Sequence, residues 1–471
     1  MKGPILFLGI GGSGMSSLAH MALDLELPVI GYDKKSSDTT DYLVERGVTL
    51  YHSIEEISLN GIEMVVYSSA INDKHKDVFS KIKERNIPLK HRSEFMHLLV
   101  SNQKSISVAG SHGKTSTTTM VSQILTESGF DPTIMIGGDT SLLQKRGGKV
   151  GKGEFAVYES DESDGTFLKH QANFRLLTNI DNDHLDYYQT REKLEQAFLS
   201  YMGFSSSGET ILFVGDIGIE SVLSIHYKEL SFHRDFTLNL LVTKNHLSSE
   251  WFLYFQTHYS NQINVILYEI KADHLEFEYK EKRYTLQLPY PGIHYLTNGL
   301  VALTFALRIG ISPEKSVSIL SRYIGVKRRQ EILGTWNHVS IIDDYGHHPT
   351  EIKMVIHSLK QKNKENGTLH VIFQPHRFTR TKLLLEELAK SLLEADHLFL
   401  LPIYSAGETP IPGIQSESFL PFLDQKKTTM LSGKMEKDIQ SIIPNLKPGD
   451  ILLCLGAGNV REWGELLLTQ S

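Results

Sequence analysis

The chain has little cysteine and no long apolar run. It contains one cysteine, Cys454, among 471 residues, which excludes an internal disulfide and is typical of a reducing cytosol. Because Cys454 lies in the apolar run 451–455, we expect a buried core thiol and not a reactive one. No run reaches the ~18 apolar residues that a membrane span requires. These absences predict a cytoplasmic protein without membrane insertion.

An excess of basic charge is also absent. Lys and Arg number 48 against 55 Asp and Glu, which gives a net charge of −7. Because nonspecific nucleic-acid binding depends on clustered cations, this balance predicts no nucleic-acid partner. The length predicts two to four domains of ~100–200 residues each. We expect a monomer or a weak homodimer.

Short apolar runs alternate with helical periodicity along the chain, which predicts parallel sheets flanked by helices. The pattern divides into three blocks, residues 1–103, 104–325 and 326–471. The predicted strands are residues 5–8, 29–32, 106–109, 155–159, 176–180, 211–214, 339–342, 370–373, 398–401 and 451–455. Within a motif-poor stretch at 217–290, the alternating residues 275–279 predict antiparallel strands.

A glycine-containing turn after the strand 106–109 is the most informative feature. Gly110 and Gly113 precede Lys114 and Thr115, where a helix is predicted to begin. Backbone N–H groups of such a turn bind phosphate oxygens, the lysine contacts the β- and γ-phosphates, and the hydroxyl ligates Mg²⁺. The spacing between the two glycines is shorter than in the common phosphate loop. The predicted triphosphate-binding residues are Gly110, Ser111, His112, Gly113, Lys114, Thr115 and Ser116.

A second glycine-rich turn, residues 9–14, follows the first strand and matches G-x-G-x-x-G. Asp33 ends the next strand, where a ribose-binding acid is expected. One interpretation is an NAD-dependent dehydrogenase, but this would leave Lys114 without a function. A nucleotide sugar also carries a diphosphate and a ribose. The predicted residues of this diphosphate site are Gly11, Gly12, Ser13, Gly14, Asp33 and Ser69.

Polar clusters follow several other predicted strands. Residues 159–164 and 179–186 are rich in carboxylates, which repel one another unless a cation holds them, and Mg²⁺ prefers oxygen ligands. Residues 343–351 and 374–381 follow strands of the third block. There Arg377 and Arg380 lie beside His376, a cationic group suited to a carboxylate or a phosphate. Ligands of open α/β sheets collect at such strand ends.

Taken in order, these motifs resemble the Mur ligases, the ATP-dependent amino-acid-adding enzymes of peptidoglycan precursor synthesis. The resemblance covers residues 9–15, 110–115, 159–164, 183–186, 294 with 298, 325–329, 343–351, 374–381, 404–408 and 456–458. It implies an α/β protein of three domains. These would be a Rossmann-like UDP-sugar-binding domain at 1–103, a P-loop ATPase-like ATP-binding domain with a mostly parallel sheet at 104–325, and a Rossmann-like amino-acid-binding domain at 326–471.

The resemblance also implies a reaction. ATP would phosphorylate the lactyl carboxylate of UDP-N-acetylmuramate with the help of two Mg²⁺, and the amine of L-alanine would attack the acyl phosphate to release phosphate. Gln330 stands where alanine-adding relatives are expected to have an aromatic residue, so attachment of a recycled murein tripeptide is the alternative. A nucleotide-gated scaffold is a further hypothesis, but it gives Arg377 and Arg380 no function.

The site residues implied by the resemblance belong to three groups. The metal ligands would be Thr115, Glu159 and His184. The further ATP contacts would be His294, Asn298, Arg329 and Asp344. The amino-acid contacts would be Tyr345, His376, Arg377 and Arg380. Lys114 would be catalytic, and His348, His376 or water would take the proton of the amine.

Overall fold

The computed structural model describes residues 3–68, 76–144, 146–363 and 367–470. Ser69, predicted in the diphosphate site, lies outside these residues. The described part contains three sheets of five, ten and six strands. The fold is α/β with mostly parallel sheets, as predicted from the alternation of apolar runs and helical periodicity. The predicted domain boundaries at 103 and 325 stay predictions.

The first sheet is entirely parallel, with strand order β3-β2-β1-β4-β5. Its elements are β1 (Ile5–Leu8), α1 (Ser13–Asp24), β2 (Val29–Tyr32), α2 (Asp38–Glu45), β3 (Thr49–Tyr51), β4 (Met64–Tyr67), α3 (Lys76–Glu84), β5 (Leu89–His91) and α4 (Arg92–Val100). Parallel strands joined by helices place the carboxyl ends of β1 and β2 at one edge. The glycine turn and Asp33 therefore lie together.

The second sheet has the order β15-β14-β13-β12-β11-β10-β6-β9-β7-β8. Its strands are β6 (Lys104–Ala109), β7 (Thr133–Met135), β8 (Gly148–Lys149), β9 (Phe155–Glu159), β10 (Phe174–Leu177), β11 (Gly208–Phe213), β12 (Phe236–Val242), β13 (Ile263–Ile270), β14 (Leu275–Tyr279) and β15 (Lys282–Leu286). Its helices are α5 (Lys114–Glu127), α6 (Leu185–Tyr188), α7 (Arg191–Met202), α8 (Ile217–His226), α9 (Glu250–Tyr259), α10 (Ile293–Arg308) and α11 (Pro313–Leu320).

The stretch 217–290 completes this second sheet. The prediction of antiparallel strands is confirmed for β14, which pairs antiparallel with both β13 and β15. The apolar strand β12 instead continues the parallel part between β11 and β13, because a strand buried on both faces fits the interior of a parallel sheet.

The third sheet has the order β16-β17-β21-β18-β19-β20, and β16 with β17 is its antiparallel pair. Its strands are β16 (Glu331–Trp336), β17 (Val339–Asp344), β18 (Leu369–Phe373), β19 (His397–Leu400), β20 (Thr428–Met430) and β21 (Ile451–Leu455). Its helices are α12 (Pro349–Asn363), α13 (Phe378–Ser391), α14 (Met435–Ile442) and α15 (Arg461–Leu468). Cys454 is a buried free thiol in β21, as predicted.

The chain forms two compact units. The first comprises Met1–Leu288 and Leu296–Ile324, and the second comprises Pro289–Tyr295 and Gly325–Ser471. In the first unit the two sheets share a core, in which Phe7 and Phe95 pack in one cluster with Ala156 and Tyr158. In the second unit separate apolar clusters cover the two faces of the third sheet. Among the described residues, no helix is both long and apolar enough to cross a membrane.

Candidate active site

The phosphate-type turn of the first unit has room only for glycine at its two glycine positions. Gly110 has φ 136°, and a Cβ there would lie 2.1 Å from Thr178 Oγ1. Gly113 has φ 81°, and a Cβ there would lie 2.7 Å from Asn298 Oδ1. Both conformations favour glycine. The side chain of Asn298, predicted to contact ATP, therefore packs against the turn.

Polar residues after β10 hold this turn in place. Asn179 Oδ1 accepts a hydrogen bond of 2.8 Å from the backbone N–H of His112. The Asn179 side-chain amide donates to the His112 carbonyl over 2.8 Å. His112 Nε2 lies 3.0 Å from Asp181 Oδ2, and Ser111 Oγ accepts from the Asp181 N–H at 2.9 Å. The turn is thus braced before any ligand arrives.

Lys114, the first residue of α5, forms a buried ion pair with Glu162. Its Nζ lies 2.8 Å from both Glu162 carboxylate oxygens, and 2.6 Å from the Gly110 carbonyl. The side chain of Glu162 is 1% exposed. Burial alone would lower the pKa of Lys114, but the carboxylates of Glu162 and Asp161 raise it above its usual value. The ammonium is therefore positively charged and directed into the turn.

Two of the predicted metal ligands, Thr115 and Glu159, are hydrogen-bonded to each other. The Thr115 hydroxyl donates to Glu159 Oε2 at 3.1 Å, and Glu159 Oε1 accepts from the Gly137 N–H at 2.7 Å. The third, His184, places Nε2 at 3.5 Å from Glu162 Oε1. A hydroxyl and a carboxylate at the start of a helix beside a lysine are a donor set that suits Mg²⁺ and phosphate.

The carboxylates of residues 159–164 are partly neutralised by the protein itself. Besides the pair that Glu162 forms with Lys114, Arg92 Nη2 lies 3.1 Å from Asp161 Oδ2. Burial would raise the pKa of Asp161, but Lys114, the hydrogen bonds from Ser163 and Arg92 lower it to about 2. The expectation that a metal cation balances this whole cluster is therefore too simple, since an arginine and a lysine balance part of it.

The diphosphate-type turn of the first sheet contacts its predicted acid. Asp33 Oδ2 accepts a 2.8 Å hydrogen bond from the N–H of Gly11, so the carboxylate holds the turn from the end of β2. Gly12 is the N-cap of α1 and has no side-chain cap. Gly14 approaches Arg92 so closely that a Cβ would lie 2.9 Å from Nη1.

A cleft within the first unit has both Arg92 and Glu159 in its lining. The residues that line it are Arg92, Ser93, Met96, Met135, Tyr158, Glu159, Ser160, Asp161, Thr166, Phe167 and His170. Arg92 and Glu162 are functional candidates that the sequence did not single out. Both lie beside predicted residues only after folding, because their partners are 69 and 48 residues away in the chain.

In the second unit, His294, Arg329 and Asp344 lie near one another. Asp344 accepts hydrogen bonds from the N–H groups of Gln330 at 2.9 Å and Gly346 at 2.7 Å. Burial raises the pKa of Asp344 to about 6, against the opposing effect of Arg329. Burial and the charge of Arg329 lower the pKa of His294 to about 4.

The predicted amino-acid residues also collect in the second unit. The ring of Tyr345 lies under the guanidinium groups of Arg328 and Arg329, at 4.9 and 5.4 Å. The rings of His347 and His376 are 6.1 Å apart. Burial, followed by His347 and the charges of Arg380 and Arg377, lowers the pKa of His376 to about 4, so this imidazole is neutral at physiological pH. His348 is buried at the start of α12.

Comparison with known proteins identifies the family of the chain. Models of the Mur ligase family match residues 4–104 (Mur ligase family, catalytic domain), 108–306 (Mur ligase middle domain) and 328–458 (Mur ligase, glutamate ligase domain). A UDP-N-acetylmuramate–L-alanine ligase of Dictyoglomus turgidum is 37% identical, and the alignment covers 99% of this chain and 96% of the relative. The enzyme of the same name from Aquifex aeolicus is 34% identical, with 98% and 97% covered.

Solved structures share the fold. The UDP-N-acetylmuramate–alanine ligase of Thermotoga maritima superposes with a TM-score of 0.77 at 23% identity, covering 99% of this chain and 98% of that one. A murein peptide ligase of Psychrobacter arcticus gives a TM-score of 0.68 at 23% identity, with the same coverage. With three family models in order along the chain and full-length relatives above one-third identity, the chain belongs to the Mur ligase family.

Proposed function

We propose that this protein is an ATP-dependent ligase that joins L-alanine to the lactyl carboxylate of UDP-N-acetylmuramate in the cytoplasm. The observation that carries the proposal is the cluster of Lys114, Thr115 and Glu159 at one turn, in a chain that is 37% identical to a relative of that name over nearly its full length. Attachment of a murein tripeptide has less support, because relatives at 35–37% identity over nearly the full chain carry the alanine name.

The first step would transfer a phosphoryl group. An oxygen of the lactyl carboxylate attacks the γ-phosphorus of ATP, the bond to the β-phosphate oxygen breaks, and ADP leaves. Lys114 and the N–H groups of the turn would neutralise charge that otherwise repels the attack. Thr115 and Glu159 would hold one Mg²⁺ and His184 a second, and these ions would supply further positive charge at the phosphates.

The second step would form the amide. The neutral amine of L-alanine attacks the acyl carbon, phosphate leaves with the electron pair of the acyl–oxygen bond, and one amine proton must be removed. Arg377 and Arg380 would bind the α-carboxylate and orient the amine, with Tyr345 beside them. His376, His348 and water are the candidates for accepting the proton. The lowered pKa of His376, about 4, leaves its ring neutral and able to accept a proton but also makes it a weak base.

The remaining predicted residues would contact ATP and the diphosphate of the sugar nucleotide. Asn298, whose side chain packs beside Gly113, would contact ATP. The resemblance also assigns ATP contacts to His294, Arg329 and Asp344. The diphosphate of the sugar nucleotide would bind at the turn of Gly11, Gly12, Ser13 and Gly14.

The test is the release of ADP with each reactant omitted in turn. We expect release only when UDP-N-acetylmuramate, ATP, Mg²⁺ and L-alanine are all present. Replacement of L-alanine by a murein tripeptide at the same concentration separates the two ligase activities. Faster release with the tripeptide would contradict the proposed specificity, and release that ignores the amino acid would contradict the reaction.

A further inference from the structure

One motif of the sequence, residues 404–408, has no assigned role in the proposed ligation. The segment follows β19 and lies against the loop that carries His376 and Arg377. Arg377 N–H donates to the Tyr404 carbonyl at 2.8 Å, and Tyr404 N–H donates to the Pro375 carbonyl at 2.8 Å. The rings of His376 and Tyr404 are nearly parallel, 10° apart, with centroids at 5.7 Å.

The helix that begins at this loop has an unusual first residue. Arg377 is the N-cap of α13 and makes no side-chain cap, because a guanidinium has donors but no acceptor. The position normally favours Ser, Thr, Asp or Asn, whose oxygens accept from the first turn of the helix. An arginine at this position forms no N-cap hydrogen bond, so its guanidinium can contact another group.

Arg377 also has a strained backbone. Its φ is 68° and its ψ is 139°, a conformation that costs an L-residue on the order of 1–3 kcal/mol and persists only when neighbouring contacts hold it. Both of its peptide groups are held. The N–H donates to Tyr404, and the carbonyl accepts from the Thr381 hydroxyl at 2.8 Å.

Glu408 supplies the missing acceptor. Its Oε2 accepts from the Thr379 N–H at 3.0 Å, and its Oε1 accepts from the Thr379 hydroxyl at 2.6 Å. Thr379 lies between the two arginines in the chain, and both arginines have exposed surface. A tight turn presents Glu408, with φ 48° at Ala406 and 85° at Gly407, and Glu408 N–H donates to the Ser405 carbonyl at 2.9 Å.

We propose that Glu408 is a positioning residue for the amino-acid substrate. It caps α13 in place of Arg377, and so keeps the strained arginine loop in the conformation that directs Arg377 and Arg380 to the α-carboxylate. The inference rests on the proposed function. Burial would raise the pKa of Glu408, but the hydrogen bonds from Thr379 and Phe378 and the charge of Arg377 lower it, which agrees with an anionic cap.

The experiment is steady-state kinetics of the full-length protein with Glu408→Ala and Glu408→Gln. Because the cap acts on amino-acid binding, we expect Glu408→Ala to raise the KM for L-alanine on the order of 10-fold while kcat and the KM values for ATP and the sugar nucleotide change less than about 2-fold. Gln keeps an acceptor for the Thr379 N–H, so Glu408→Gln should restore part of the loss. Glu436→Ala, at an exposed acid in the first turn of α14, is the matched control and should match the wild type.

The outcomes separate this inference from the proposed function. A wild-type protein without L-alanine-dependent ADP release would refute the function. An active wild type with an unchanged KM for L-alanine in Glu408→Ala would refute the role of Glu408 alone. If both variants lost kcat together with melting temperature, and kcat/KM fell equally for all substrates, Glu408 would be a structural cap without a substrate-positioning role.

Discussion

The Thr115 hydroxyl donates a 3.1 Å hydrogen bond to Glu159 Oε2 across 44 residues of the chain. The contact exists because β6 and β9 are parallel neighbours, in register from Lys104 with Phe155 to Val108 with Glu159. Their carboxyl ends therefore meet at one edge, where the phosphate-type turn and the acidic cluster begin. A single sheet register thus brings together the Thr115 hydroxyl and the Glu159 carboxylate, two of the residues proposed to hold Mg²⁺.

Glu159→Gln should weaken the response to Mg²⁺. The amide keeps the size of the side chain, but its one oxygen can accept from only one of Thr115 and the Gly137 N–H, and it has no charge for the metal. We expect the Mg²⁺ concentration at half-maximal ADP release to rise at least about 10-fold, with a lower maximal rate. Titration with Mg²⁺ at saturating ATP measures this. Glu154→Gln, at a half-exposed acid that pairs with Lys104, is the control; equal shifts in both variants would contradict a metal role for Glu159.

Gly110→Ala should abolish nucleotide binding. The new Cβ would lie 2.1 Å from Thr178 Oγ1 and at φ 136°, so the turn must move away from the strand end that braces it. Gly129→Ala is the control, since Gly129 has φ 87° but no atom within 4 Å of the new Cβ. We expect thermal stabilisation by ATP with Mg²⁺ to vanish in Gly110→Ala and to persist in Gly129→Ala, whose own cost is about 1 kcal/mol of left-handed backbone strain. Retained ATP binding in Gly110→Ala would contradict the assignment of the turn.

Lys114→Met should affect both activity and stability. It removes the cation at the turn, and it leaves the Glu162 carboxylate, 1% exposed, without its closest cation. Breaking one side of a buried pair costs about 3–5 kcal/mol, so urea unfolding should show a loss in that range. ADP release should fall at least about 1000-fold. The double variant Lys114→Met with Glu162→Leu should regain much of the stability and none of the activity, which a purely structural role of Lys114 does not predict.

The sequence was sufficient for central strands such as β1, β6 and β21 and for the glycine turns. It was not sufficient for short strands such as β3 and β20, whose three residues carry too little pattern, or for the contacts between elements. The glycines at 110 and 113 predict the phosphate-type turn because a local conformation requires them. Glu162 lies in an acidic run with several equivalent carboxylates, and only the fold decides that it is the one that pairs with Lys114. Arg92 has no motif of its own; it reaches Asp161 because the two sheets of the first unit share a core. The backbone strain at Arg377 could not be predicted from the sequence either, because it depends on contacts of this loop with Tyr404 and Glu408 that form only in the folded chain.

Stability should fall as the pH falls from 7 to 5, in part because of His20. This histidine is 1% exposed, and burial, followed by the charges of Arg46 and Arg146 and against that of Asp24, lowers its pKa from 6.5 to about 4. Its Nδ1 lies 2.9 Å from Arg46 Nη1, so the neutral ring accepts a hydrogen bond there. In the unfolded chain His20 binds a proton below about pH 6.5, whereas in the folded chain it stays neutral down to about pH 4. Protonation therefore stabilises the unfolded state relative to the folded state as the pH falls.

For one such group, the expected loss between pH 7 and pH 5 is about 1–2 kcal/mol. Urea unfolding of the wild type and of His20→Gln at the two pH values measures it. The glutamine can still accept from Arg46 but does not titrate, so the difference in stability between pH 7 and pH 5 should shrink by that amount. Because His20 lies outside the residues assigned to substrates, ADP release at pH 7.5 should be unchanged. An equal pH dependence in both proteins would show that His20 has the same pKa in the folded and the unfolded chain.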